Sequence, residues 1–512
     1  MNIAITGITG NMGQATLDAL ESAKNTDKIK LLCHSKKRMK KLLKKHKSLL
    51  HKIELTEGGV DDPEAVSKLV SDVGLVINMA AVIPPRSDQD PRAAIACNEI
   101  GADVVVSAIE NIKENQPALI HISTLALYGN RSGAHPFARV GDPLLVSPFD
   151  IYSATKMRGE FRVMESDIQK WAVLRQTAML HPQMLTDNVH DGLMFHTVYD
   201  APLEWATAHD SGVLIKNIIE SYANGTTPDK FWRRCFNISG GKQNRNYGIN
   251  TFDDGFKVVG GGAKAFFKPW YNATRNFHGA WFLDGDELND MFDFQSQSTD
   301  DYWREVFDAH PSFKLGKRVP KRVIGYFVVK RLLKDPNAPA YWAKNGDEAR
   351  LIAYFGSREN YEKLKKADWT DIALPDRDGI KDLDDNAEPV YYGFDFTKSD
   401  ADIDIGDLRS VAEAHGGKLV SADFERGDIY KKLEWQTQDG DTFTATPYTV
   451  LRGGHWYNET YRSNVWDFDR LSKKDKVFAS VWYDSHGEDE NYVYSLDGKF
   501  NAHARKFDES EI

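Results

Sequence analysis

The sequence predicts a doubly wound α/β fold on a parallel sheet for its first 260 residues, joined to a second half of different character. Three observations carry this. Short apolar runs alternate with longer amphipathic stretches, the rhythm of βαβ units. Aliphatic and β-branched residues crowd the short runs, as they do where helices cover both faces of a sheet. The first run opens into a glycine-rich turn just ahead of an amphipathic stretch.

Taken in order, the predicted strand Asn2–Thr6 leads through Gly7, Gly10 and Gly13 into a predicted helix Met12–Ala23. Predicted strands follow at Ile29–His34, Ile53–Glu57, Leu75–Asn78, Ala118–Ser123 and Ala172–Arg175. Between them fall predicted helices Lys36–Leu49, Pro63–Val73, Arg92–Glu110 and Tyr152–Ser166, the second with Asp62 placed to cap it ahead of Pro63.

At 512 residues and 57.8 kDa the chain exceeds what one hydrophobic core organises, so two or more domains are expected. Hydrophobic residues at 41% and charged residues at 27% exclude wholesale disorder. A mean hydropathy of -0.50 and the lack of a long apolar run argue against a membrane span. No leader peptide is read at Met1–Ile5, and Cys33, Cys97 and Cys235 are too few and scattered for a disulfide framework or a metal cage. A soluble, reduced, cytoplasmic protein is expected. Its net charge of -10 is uneven: Lys36–Lys52 holds nine Lys or Arg and no acid, whereas Asp368–Asp407 holds thirteen acids against three cations.

The turn Gly7-Ile8-Thr9-Gly10-Asn11-Met12-Gly13 lets backbone approach a pyrophosphate whose charge sits at a helix N-terminus. Tyr152 and Lys156 stand four apart, on one helix face. A nearby cation stabilises phenolate and makes tyrosine a usable acid or base near neutral pH, and a cationic nicotinamide would do the same. Ser123 and Thr124 put two hydroxyls at the carboxyl edge of a strand, where open α/β sheets bind ligands.

Together these motifs resemble the extended short-chain dehydrogenase/reductase family, of the NAD-dependent epimerase/dehydratase kind, over about residues 1–260. The resemblance implies a Rossmann domain with a small substrate lobe, and Tyr152, Lys156 and Thr124 as the catalytic set. Tyr152 would exchange a proton with a carbonyl or alcohol, Lys156 would lower its pKa and bind ribose hydroxyls, and Thr124 would hold the substrate oxygen. It assigns cofactor contacts to Gly7, Thr9, Gly10, Asn11, Met12, Gly13, Val60, Ala80, Ala81, Asn98 and Ser123, as well as to Tyr152 and Lys156. Asn78 stands where the family often has histidine, and Asn98 with Gly101 matches its N-x-x-G helix. Arg175-Gln176-Thr177 ends a strand as the family does, and Trp205–Asp210 resembles its return from the substrate lobe. At the end of the second strand Ser35, Lys36 and Arg38 replace the acid typical of NAD enzymes, which points to NADP(H), with NAD(H) as the alternative.

Two departures matter. Gly59 replaces an acid that usually contacts adenine, and Leu125-Ala126 replaces the Asp-Glu pair of sugar-nucleotide 4,6-dehydratases, so no general acid for eliminating water is expected there. The substrate lobe is placed at about 178–199 and 238–280. Met179, Met184, Met194, Phe195 and Phe236 are offered as pocket walls, with plain core the favoured reading. His181, His190 and His196 lack metal-ligand spacing with any acid, and no metal site is expected.

The expected division is 1–330 for the cofactor domain with its lobe, 331–400 for a helical segment and acidic linker, and 401–512 for a small α+β accessory domain. Ser298–Asp301 caps an amphipathic helix. Val319–Leu333 forms a second, apolar-basic helix, for which packing on a domain is favoured over rest on a membrane surface. Trp369–Pro389 is the best linker. About 401–470 resembles a zinc-ribbon module that has lost its cysteines, with Thr437 and Tyr457–Thr460 at the ligand positions and Trp435, Phe443, Trp456 and Trp466 holding it together. The leading expectation is an NADP(H)-dependent oxidoreductase acting on a small-molecule carbonyl or secondary alcohol. A sugar-nucleotide epimerase using the same residues and an NADP(H)-sensing regulator are the alternatives. No nucleic-acid partner is expected, and a homodimer is left open.

Overall fold

The structure, a computed structural model, describes residues 1–184, 191–382, 390–456 and 464–512. Seven parallel strands form its main sheet: β1 (Ile3–Thr6), β2 (Ile29–Cys33), β3 (Ile53–Glu57), β4 (Leu75–Asn78), β5 (Ala118–Thr124), β6 (Trp171–Gln176) and β7 (Arg234–Ile238). Their order across the sheet is β7-β6-β5-β4-β1-β2-β3. The doubly wound α/β fold predicted from the sequence is present. Strand order reverses between β1 and β4, which opens the crevice at the strand ends where such sheets bind ligands. The edge strand β7 went unpredicted, because Arg234, Cys235 and Asn237 break its apolar run.

The main helices are α1 (Asn11–Leu20), α2 (Lys36–Leu42), α3 (Pro63–Val70), α4 (Gly101–Glu110), α5 (Ile151–Met164) and α6 (Ala208–Ala223). α2 is half the predicted length and passes into short 3-10 turns at Leu43–Lys45 and Lys47–Leu49. Its lysines repel one another at four-residue spacing with no acid among them, which weakens a regular helix. The single helix predicted over Arg92–Glu110 starts at Pro91 behind an Asp90 cap and widens into a π turn at Ile95–Ile100 before α4.

One sheet face packs Ile3, Ile5, Leu31 and Ile77 under α1 and α6, with Leu17, Ile215 and Ile218 fully buried. The other face packs Ala4, Val76 and Leu119 against Val66, Val106 and Val163, and this cluster runs on into Trp342, Leu351, Trp435, Trp456 and Trp466. The second half thus shares a core with the first. It contributes two small antiparallel sheets, one of Lys418–Leu419, Leu433–Gln436 and Thr442–Ala445, the other of Val465–Trp466, Tyr492–Leu496 and Ala502–Lys506.

Two expectations for the second half are corrected, and a third is met on one face. Trp435 and Phe443 do pack on Trp456, at 6.1 and 5.2 Å between ring centres, but Trp466 lies in the other sheet and meets Phe149 at 5.8 Å. Tyr457–Thr460 lies outside the described residues. The segment read as a linker is docked where described, with Ile380 buried and Trp369 against Tyr199 at 5.1 Å; its part over 383–389 lies outside the described residues. The apolar-basic helix, observed over 321–332, buries Val329 and Leu332 but leaves Tyr326 and Phe327 62% and 69% exposed, so packing accounts for one face only.

Among several polar ties between the halves, one is fully buried. Arg175 Nη2 at the end of β6 donates to Glu160 Oε1 on α5 at 2.6 Å and to the Gly453 carbonyl at 2.6 Å. His455 Nε2 lies 3.0 Å from the same Glu160 oxygen. Burial works to raise the Glu160 carboxyl, but the Arg175 guanidinium and His455 outweigh it and hold it well below the carboxylate range. Removing one partner of such a pair strands the other charge in low dielectric. Arg175→Met is expected to lower unfolding free energy by about 3 kcal/mol or more in urea titrations, and Arg175→Met with Glu160→Leu to recover part of that loss.

Candidate functional site

A cavity of about 1030 Å3 runs from the turn after β1 to the carboxyl ends of β5 and β6 and on to the second half. Its walls at the first end are Gly7, Thr9, Gly10, Asn11, Met12 and Gly13. Gly7 has φ +72°, and a Cβ there would sit 2.4 Å from the Met79 carbonyl carbon. A Cβ on Gly13 would sit 2.5 Å from the Gly7 oxygen, so the turn closes only with glycine at both places. Gly10 heads α1 with no side-chain cap, and a Cβ on it would meet nothing closer than 3.4 Å. That open cradle at the N-terminus of a ten-residue helix fits a pyrophosphate.

Val60, Ala80, Ala81, Ser123, Thr124, Tyr152 and Lys156 also line the cavity. Ser123 Oγ is buried there without a hydrogen-bond partner. Four of the predicted contacts stand elsewhere: Ser35, Lys36, Arg38 and Asn98 are not on the wall. Ser35 caps α2 by accepting from Arg38 N at 3.4 Å, and Lys36 N donates to Glu57 at 3.3 Å. His34, Gly58 and Asp61 take the wall position instead. Asn98 is occupied on both sides, accepting from Val82 N at 2.8 Å and donating to Val82 O and Thr155 Oγ1. It fixes the loop after β4 to α5. Asn78 is likewise structural, accepting from Thr6 Oγ1 at 2.6 Å and facing His121 Nδ1 at 3.2 Å.

α5 presents Tyr152, Lys156 and Glu160 at four-residue intervals on its buried face. Burial pushes the Tyr152 phenol up to about 12, against a hydrogen bond with Thr124 that lowers it. Lys156 Nζ donates to the Ile122 carbonyl at 2.5 Å, and burial pulls its pKa down to about 8. Tyr152 therefore carries its proton at neutral pH.

Sequence reasoning missed several groups. Asp150 caps α5, accepting from Ser153 N at Oδ1 at 3.0 Å and from the Ser153 hydroxyl at Oδ2, and His278 Nδ1 lies 3.3 Å from that same Oδ2. Burial would raise the Asp150 carboxyl, but His278 and Ser153 outweigh it and hold it low. Asp88 lines the same cavity, and burial beside Asp150 pushes it up to about 7, so acids reach the cavity from positions other than 125 and 126. His181 and His196 line it as well, His196 held down to about 4 by burial; His190 lies outside the described residues. Asp150 was legible as a cap ahead of Tyr152; His278 and Arg350 come from far along the chain, and Asp88 lies in a short helix between predicted elements, none with a local signal.

The far wall is mainly apolar, with His196 set against Trp342 and Tyr354 and His278 against Phe277. Met179, Met184 and Met194 are on it, with Trp205, Phe252, Phe277 and Trp303, whereas Phe195 and Phe236 are plain core. From beyond residue 330 come Leu332, Trp342, Arg350, Tyr354, Leu496 and Phe500, so the second half closes the cavity rather than standing apart from it. Among the described residues Arg86, Lys156 and Arg350 are the only Lys or Arg on the wall, and Arg350 is paired with Asp347 at 2.5 Å.

Residues 3–167 match the model of the NAD dependent epimerase/dehydratase family, in agreement with the resemblance read from the motifs. No curated protein matches the chain. Among solved structures, the chain is similar to UDP-glucuronic acid 4-epimerase from Bacillus cereus in complex with UDP-glucuronic acid and NAD, at 18% identity and a TM-score of 0.47 over 62% of this chain and all of that one. It is also similar to the dTDP-glucose 4,6-dehydratase DesIV from Streptomyces venezuelae with NAD bound, at 16% identity and a TM-score of 0.48 over 61% of this chain and 100% of that one.

Lys156 offers a check on this geometry without any ligand. Its folded pKa near 8 lies below the ordinary lysine value of 10.5, so the unfolded chain holds more protons between those limits and stability rises with pH across that window. The difference in unfolding free energy between wild type and Lys156→Met is expected to shift in favour of wild type by about 3 kcal/mol from pH 8 to pH 10.5. Urea titrations at several pH values read it.

Proposed function

We propose that the chain is a nicotinamide-dependent oxidoreductase that reduces the carbonyl, or oxidises the alcohol, of an apolar small molecule. The observation that carries this reading is the far wall, where methionine, tryptophan and phenylalanine line the same cavity as Tyr152 and Thr124 and, among the described residues, few cations are present to hold a diphosphate. The open cradle at Gly10 and the unpartnered Ser123 hydroxyl fit a dinucleotide between α1 and α5. When bound, that group supplies two-electron transfer at its nicotinamide ring.

The chain's own residues supply the rest. Tyr152 carries the proton that a substrate oxygen receives on reduction, and Thr124 fixes the phenol's direction through their hydrogen bond. Lys156 is anchored to the Ile122 carbonyl, with donors left over for a sugar hydroxyl. Asp61 on the wall, in place of Ser35, Lys36 and Arg38, repels a 2′-phosphate and favours NAD(H) over NADP(H).

A second reading, a sugar-nucleotide epimerase, has the family match over residues 3–167 in its favour. It uses the same Tyr152, Lys156 and Thr124. Turnover with no net change in nicotinamide absorbance would identify it.

Tyr152→Phe is expected to bind NADH as tightly as wild type in a fluorescence titration while losing about 100-fold or more in kcat. Turnover left unchanged by this substitution would remove the assignment. Direct titration should also show NADH bound more tightly than NADPH, and Asp61→Asn should narrow the gap.

A further inference from the structure

The helix over 321–332 is amphipathic in an unusual sense: its inner face belongs to the cavity, and its outer face is apolar too. Val328, Val329 and Leu332 line the cavity. On the outside Tyr326 and Phe327 are 62% and 69% exposed, with Val323 beside them and Leu315 and Val319 exposed just upstream. Few large apolar side chains elsewhere in the molecule stand so far into water.

The charge around this patch is one-sided. Between Ala309 and Lys334 the sequence has eight Lys or Arg and no Asp or Glu, in a chain whose net charge is -10. Lys317, Arg318, Lys321, Arg322, Lys330, Arg331 and Lys334 are exposed, and none of them forms an ion pair among the described residues. Lys330 Nζ lies 5.8 Å from the Tyr326 ring centre, at the edge of the aromatic pair. Aromatic and aliphatic side chains at the centre, with long cationic side chains that can reach outward around them, match the interface of an anionic bilayer.

We propose that the segment 315–334 docks on an anionic lipid surface, with Tyr326 and Phe327 entering the headgroup boundary and the surrounding lysines and arginines facing lipid phosphates. A second copy of this chain fits the same face poorly, because it would set two unpaired cation clusters against each other. A nucleic acid would engage the cations but leave Leu315, Val323 and Phe327 in water. Docking there sets the outer face of the helix against the bilayer while its inner face stays on the cavity. If the proposed oxidoreductase reading holds, and only then, the apolar substrate is drawn from the bilayer.

The test is co-sedimentation of the full chain with vesicles, without cofactor or substrate, so its result is separate from the enzymatic reading. Binding to vesicles of phosphatidylglycerol and phosphatidylcholine is expected to exceed binding to phosphatidylcholine alone by about tenfold or more and to weaken with salt. Tyr326→Ser with Phe327→Ser, and separately Lys330→Glu with Arg331→Glu, are each expected to reduce the partition about tenfold with unchanged circular dichroism and thermal midpoint. Equal binding to both vesicle types, no binding to either, or binding unaffected by both double variants would overturn the proposal. So would a dimer in solution that these substitutions dissociate.

Discussion

The contact between Arg175 and Glu160 is where the molecule is decided. Two charges with no exposure survive inside a protein only when geometry satisfies them, and here one guanidinium reaches α5, the Gly453 carbonyl and the Tyr128 hydroxyl at once. Glu160 lies one helical turn beyond Lys156 and two beyond Tyr152, so the pair fixes the rotation and depth of the helix that presents both to the cavity. His455 closes the arrangement from the second half. The sheet, the helix bearing the acid/base candidates and the segment at Gly453 and His455 thus meet in one buried cluster.

The second organising constraint is dryness. Tyr152 and Lys156 depart from their ordinary values in opposite directions for the same reason, since burial disfavours phenolate and ammonium alike. The sequence spacing of tyrosine and lysine implies a direct electrostatic couple; the fold turns the amine to a backbone carbonyl and leaves the phenol to a threonine hydroxyl.

Legibility followed range. β1 to β6 and the glycine turn are local patterns, apolar runs and small-residue spacing, and they were readable to within one or two residues. Breaks in helical regularity, such as the π turn holding Asn98 or the collapse of the lysine-rich helix after Leu42, arise from tertiary pairing and charge repulsion that a period does not encode. The cavity wall was the least legible part. His278 and Arg350 reach it from more than a hundred residues beyond Tyr152, Asp88 from a short helix between the predicted elements, and Ser35, Lys36 and Arg38 miss it at the cap of the helix they begin. Nothing in a linear pattern distinguishes those outcomes.

Leu496 and Phe500 stand on the wall of a cavity whose first residue is Gly7. The chain from Gly7 to Phe500 must therefore be in place before that chamber is complete. A substitution at Leu496 or Phe500 is thus made beside a chamber whose first walls were laid down hundreds of residues earlier.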